Sequence, residues 1–95
     1  MMRDKIFMVA PTDDYKVYIH YDNGEIRLYD ASWILEKGGV FEQIKDIEVF
    51  KELCTVMNST LAWDISRNRD PYNCIDICPD TVYEESVRVS RNSVA

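Results

Sequence analysis

The sequence predicts an α+β fold: a small mixed sheet of short strands with a central β-hairpin, packed against two or three short helices. Three observations predict it. Two alternating stretches flank an Asn-Gly pair, YKVYIHY at 15–21 and EIRLY at 25–29. Apolar residues then recur every three positions at Phe41, Ile44, Ile47, Phe50 and Leu53, which makes one apolar helical face. Pro79 is followed by acidic residues at the head of a second helix-compatible segment.

Taken in order, KIFMVA at 5–10 is short, apolar and stopped by Pro11, as an opening strand would be. In the hairpin, Tyr15, Val17, Ile19 and Tyr21 share one face, while Lys16, Tyr18 and His20 share the other. Asn23-Gly24 suits a type I′ turn, in which both central residues take positive φ. That turn would set Ile26 and Leu28 on the apolar face. Asp30 can accept a backbone N–H where a helix starts at Ala31, and Gly38-Gly39 stops it near Lys37. Asp46 reads as a second N-cap, so the next apolar face predicts two short helices or one broken one. LCTVM at 53–57 and TLAWD at 60–64 read as strands about the turn pair Asn58-Ser59. Residues 65–74 are polar, carry Asp70-Pro71 and read as a loop. Ile75-Asp76-Ile77 reads as a short extended piece, a helix starts near Pro79, and residues 90–95 read as a frayed tail. The expected core is Val17, Ile19, Leu28, Phe41, Ile44, Phe50, Leu61 and Trp63, in a single domain of 1–95 ordered over about 5–88.

Composition narrows the function. The chain has 95 residues, 46% of them hydrophobic, and a formal net charge of -6. That content is ordinary for a globular domain and too high for a disordered one. The charge repels a phosphate backbone at long range, which disfavours a general nucleic-acid binder. No apolar run approaches the roughly 18 residues needed to cross a bilayer, and the N-terminal apolar stretch, Ile6 to Ala10, is too short for a signal-peptide core. The expected compartment is the cytoplasm, with which three unpaired cysteines, Cys54, Cys74 and Cys78, agree.

No catalytic or metal constellation emerges. His20 is the single histidine, placed on the polar face of its strand. Cys74 and Cys78 have the spacing of one zinc-ligand pair but lack the second pair such a site needs, so Cys54 and Cys78 read as small buried hydrophobes. Asp64, Asp70, Asp76, Asp80, Glu84 and Glu85 match no cation-binding loop and read as caps, turn residues and a solvated face. No phosphate-binding glycine loop and no cofactor motif is present. Arg67, Arg69, Arg88 and Arg91 form the only basic bias, a patch if the 65–74 loop folds against the last helix. Trp33 and Trp63 are candidate anchors, with Trp63 the better core residue.

The order of short motifs carries a resemblance. The chain reads Val9-x-Pro11, Asp14-Tyr15-x-Val17, Tyr21-Asp22-Asn23-Gly24-Glu25 and Arg27-x-Tyr29-Asp30. It continues Gly39-x-Phe41, Ile44-x-Asp46, Phe50 and Leu61-x-Trp63-Asp64, and closes on Ile75-Asp76-Ile77-x-Pro79-Asp80-x-Val82-Tyr83-Glu84. Over about residues 7–85 this resembles the bacterial family called domain of unknown function 2442. The resemblance implies a small α+β fold, and no catalytic residues come with it. Some relatives are described as antitoxin-like and are encoded beside a small partner. Others carry a helix-turn-helix domain after this one, a DNA-binding half the present chain is expected to lack. The loop at 65–74 makes the connection from Trp63 to Pro79 long compared with the shortest members of the family.

The expected function is therefore a protein-interaction module, the antitoxin-like member of a two-protein system, with no enzymatic activity. Its partner would be another protein, a small toxin among the candidates, and a homodimer is compatible with the same reading. The alternative is a ligand-sensing or DNA-associated regulatory domain without its helix-turn-helix half. The expected binding surface is the segment from Arg67 to Tyr83, on Arg67, Arg69, Tyr72, Asp76, Asp80 and Tyr83. Irregular loops on a rigid scaffold concentrate binding residues, and Arg and Tyr are favoured at interfaces.

Overall fold

The structure is a computed structural model that describes residues 5–90. It is an α+β fold in which the strands divide between two antiparallel sheets. β1 (Ile6–Pro11), β2 (Lys16–Tyr21), β3 (Ile26–Asp30) and β7 (Val87–Ser90) form a four-stranded sheet in the order β1-β2-β3-β7. β4 (Cys54–Met57), β5 (Thr60–Trp63) and β6 (Ile75–Asp76) form a three-stranded one. Two 3-10 helices, Ser32–Glu36 and Gly39–Ile44, lead into α1 (Ile47–Leu53), and α2 (Pro79–Glu85) precedes β7.

Local chemistry accounts for these boundaries. Asp46 caps α1 by accepting the Glu48 N–H at 2.9 Å, and Pro79 opens α2, where its missing N–H leaves nothing unpaired. Asp30 accepts the Ser32 N–H at 2.9 Å, and that bond holds its carboxyl below the usual range. The apolar residues spaced by three divide between the second 3-10 helix and α1, with the break at Asp46. Ile44 and Phe50 are buried and Phe41 is half-buried, against expectation, because its ring stacks edge-on to the half-buried Trp33 at 5.2 Å near the surface.

The first hairpin closes differently from the two-residue expectation. Gly24 has φ +93°, whereas Asn23 is not among the left-handed residues. The Gly24 N–H bonds the Tyr21 carbonyl at 3.0 Å, and the Tyr21 N–H bonds Glu25 at 2.9 Å. The loop is thus three residues, Asp22 to Gly24, with a left-handed glycine closing it. One extra loop residue inverts the faces of β3. Val17 pairs with Tyr29 and Ile19 with Arg27, so Tyr29 is buried while Leu28 is only half-buried. Arg27 is tolerated on this side because its guanidinium is fully engaged. It bonds Ser86 Oγ at 2.7 Å, the Ser86 carbonyl at 2.8 Å and Glu25 at 2.8 Å, and stacks 4.0 Å over the Tyr83 ring.

The core lies between the two sheets and α1. Phe50 of α1 meets Tyr15 at 5.1 Å and Trp63 at 5.4 Å between ring centroids, joining the start of β2 to β5. The Tyr15 hydroxyl donates to the Lys45 carbonyl, which anchors the chain ahead of α1. Two further expectations are corrected. Of the tail that the sequence predicts to fray over 90–95, Ser90 instead ends β7, which pairs with β3, and 91–95 lie outside the described residues. Cys78 is exposed at the N-cap of α2 rather than buried, and Cys54 is half-buried in β4. Among the described residues, no helix is long and apolar enough to cross a membrane.

Candidate functional site

The 65–74 loop is organised by Asp64, which follows β5 directly. Its Oδ1 accepts from the Ser66 hydroxyl at 2.8 Å and the Arg67 N–H at 3.2 Å, and its Oδ2 accepts from the Arg69 N–H at 2.9 Å. Ser66 Oγ in turn accepts from the Asn68 and Asp70 N–H groups at 3.3 and 3.2 Å. Burial alone would raise the Asp64 carboxyl, but the bonds from Ser66, Arg69 and Arg67, with the Arg69 charge, outweigh it and hold it below the usual carboxylate range. This winding sets Arg67 and Arg69 at φ +63° and +60°, in the left-handed region.

Both arginines reach back over α1 and β4, not toward α2. Arg67 Nη1 meets Glu52 Oε2 of α1 at 2.6 Å. Arg69 Nη1 donates to Thr55 Oγ1 at 3.3 Å, and its Nη2 donates to the Val56 carbonyl at 2.8 Å. The Met57–Thr60 pair flanks a two-residue turn, so alternation along the ladder aims the Val56 carbonyl at the open edge of β4, where Arg69 takes it. The result is an open cleft of about 290 Å³ between Arg67 and Arg69, floored by Leu53, Cys54 and Thr55. It continues past Arg69 into a second groove bounded by Phe7, Met8, Val9 and Val56. Burial raises the Cys54 thiol to about 12, which leaves it protonated and unreactive at neutral pH.

Of the six residues expected at a binding surface, the structure brings Arg67 and Arg69 together on this cleft; the other four do not line it. Tyr72 stands 96% exposed at the loop tip. Asp76 lies in β6 and accepts from Asn58 Nδ2 at 3.0 Å, tying the β4–β5 turn to β6. Asp80 is exposed in the first turn of α2. Tyr83 lies on the four-stranded sheet, edge-on to Tyr21 at 5.6 Å and beneath Arg27. Arg88 sits on β7 opposite Arg27, so it does not join Arg67 and Arg69 in a patch.

Sequence reasoning missed Glu52, Thr55 and Phe7 as parts of this surface. They lie far from the loop in sequence, and no local pattern joins them to it. Asp64 does carry a local signal: a carboxylate followed by a Ser two positions on and an Asn-containing polar run is the composition of a carboxylate-nucleated turn. Among the described residues, no three His, Cys, Asp or Glu side chains cluster to hold a metal ion. A second surface feature is set by register. On the outer face of the four-stranded sheet, Ala10, Tyr18, Leu28 and Val87 pair in one row across all four strands.

No curated protein and no solved structure matches the chain. One family model does, described as a protein of unknown function (DUF2442), and it spans residues 8–88. With most of its length matched, the chain belongs to the DUF2442 family.

Proposed function

We propose that this chain is a protein-interaction module, the antitoxin-like member of a two-protein bacterial system. The observation that carries the reading is the apolar row Ala10–Tyr18–Leu28–Val87 on the outer face of the sheet, with Met8 and Ile26 in the next row on either side of His20. An antiparallel sheet with one solvated face ordinarily alternates apolar-in and polar-out. Here the inner row is buried, yet the outer row is also apolar, with Tyr18 39% and Val87 66% exposed. A continuous apolar strip of that kind is the usual mark of a surface covered by another molecule. The antitoxin-like part of the proposal draws its support from the resemblance to family members encoded beside a small partner.

The test is affinity purification of the tagged protein from its native host, beside a Tyr18→Glu variant of unchanged circular dichroism. The wild type should retain one protein in stoichiometric amount, and the charge placed in the row should release it. If nothing is retained in stoichiometric amount, or if Tyr18→Glu retains its partner at the wild-type level, the proposal fails.

A further inference from the structure

We infer that the cleft between Arg67 and Arg69 is a docking site for a carboxylate side chain on an extended segment of the protein partner, while the adjoining groove at Phe7 and Val56 takes that segment's neighbouring apolar side chain. This deepens the interaction-module reading and rests on it.

Backbone conformation is the first support. Left-handed φ suits glycine and asparagine and is costly for other residues. The loop nevertheless places arginine at both of its left-handed positions, 67 and 69, and puts its asparagine at 68, between them. Asp64 holds that winding through the backbone N–H groups of these two residues, so both side chains are presented to the same cleft before any ligand arrives.

Charge is the second. The chain carries a net -6, yet this cleft gathers two arginines, Arg67 and Arg69, alongside the acids Glu52 and Asp64. Asp64 lies in the field of the Arg69 charge, but its oxygens are committed to the Ser66 hydroxyl and to backbone N–H groups of the loop; Glu52 is the acid that ion-pairs with Arg67. Glu52 shows what the cleft binds: its carboxylate already sits 2.6 Å from Arg67. Both side chains of that pair are more than half exposed, so it is held weakly and can be exchanged for an incoming carboxylate. Arginine is the side chain best shaped for that exchange, because its fork presents donors in pairs.

Continuity is the third. The groove past Arg69 is walled by Phe7, which is 68% exposed, and by Met8, which also flanks the outer apolar row. A partner covering that face at β1 therefore reaches Arg69 and Arg67 without a gap. The segment that fits carries an acidic residue beside an apolar one.

The experiment titrates the full ¹⁵N-labelled chain with N-acetyl-Leu-Glu-Leu-amide, and with the same peptide carrying lysine in place of glutamate. The glutamate peptide should give saturable shifts at Thr55, Val56, Arg67, Arg69 and Phe7; the lysine peptide should give none. Arg67→Ala, whose side chain bonds the exposed Glu52 alone among the described residues, should weaken binding about tenfold, the loss expected for a hydrogen bond to a charged group. Glu52→Gln should tighten it roughly threefold by removing the internal competitor, which a purely structural ion pair would not do. Absence of saturable shifts, equal binding of the two peptides, or no tightening in Glu52→Gln would overturn the site. Should the native partner still copurify at the wild-type level with Arg67→Ala, the site is wrong and the interaction-module reading stands. Should no partner copurify with the wild type, that reading itself fails.

Discussion

The two hairpins differ by one loop residue, and that residue decides which side of a strand enters the core. Between β4 and β5 the loop is Asn58-Ser59, both left-handed at φ +54° and +62°, so Met57 pairs directly with Thr60. Between β2 and β3 the loop is Asp22-Asn23-Gly24 with only Gly24 left-handed. The two-residue type I′ turn thus forms on the pair that looks less suited to it, Asn-Ser, while Asn-Gly closes a longer loop. A third loop residue shifts the pairing by one, which swaps Leu28 for Tyr29 in the core and sets Leu28 in the exposed apolar row. Turn propensity ranks the candidates; tertiary burial chooses among them. Tyr29 buries more surface than Leu28 could, and its hydroxyl accepts from Trp33 Nε1 at 3.0 Å.

The sharpest way to break the comparison is to remove what joins the two hairpins. Phe50 packs on Tyr15 at the start of β2 and on Trp63 in β5. Phe50→Ala should cost about 3–5 kcal/mol, typical of a truncated core aromatic. Hydrogen exchange should show both hairpins losing protection together; protection lost in one alone would make them independent units. Gly24→Val should cost about 2 kcal/mol, because the position needs a left-handed backbone that a β-branched residue resists. An unchanged urea midpoint would contradict the three-residue loop. Ser59→Gly should act in the opposite direction and raise stability by up to about 1 kcal/mol, since Ser59 already bears the left-handed strain that glycine relieves. A loss of stability there would argue against the tight turn.

The smallest effect is a slope. The Asp64 carboxyl is held below its unfolded value, so its contribution is complete above the unfolded pKa, about 4, and is lost as pH falls through the folded value. Stability measured from neutral pH downward should fall less steeply in that acid window in Asp64→Asn than in the wild type. Parallel curves would mean that Asp64 does not hold the loop.

The sequence by itself determined the elements that depend on neighbours in the chain. The strand at 5–10, both hairpins, the Asp46 cap, the start at Pro79 and the loop after Asp64 follow from alternation, capping side chains and turn residues, whose interactions span only a few positions. It also carried Arg67 and Arg69 as candidates, because charged residues in a long polar loop stand out locally. Register, sheet partition and the cleft were decided only by the tertiary structure. β7 is a strand because β3 offers it an edge; Val87 and Val89 alternate, but four residues are too short a stretch to announce a strand without that partner. Leu28 and Tyr29 are both good strand residues, and only the buried volume beside Val17 and Ile19 selects between them. Arg69 meets the Val56 carbonyl, and Arg67 meets Glu52, across 13 and 15 positions of chain. Contacts at that separation form only after the sheets have packed, so no periodicity or local propensity announces them.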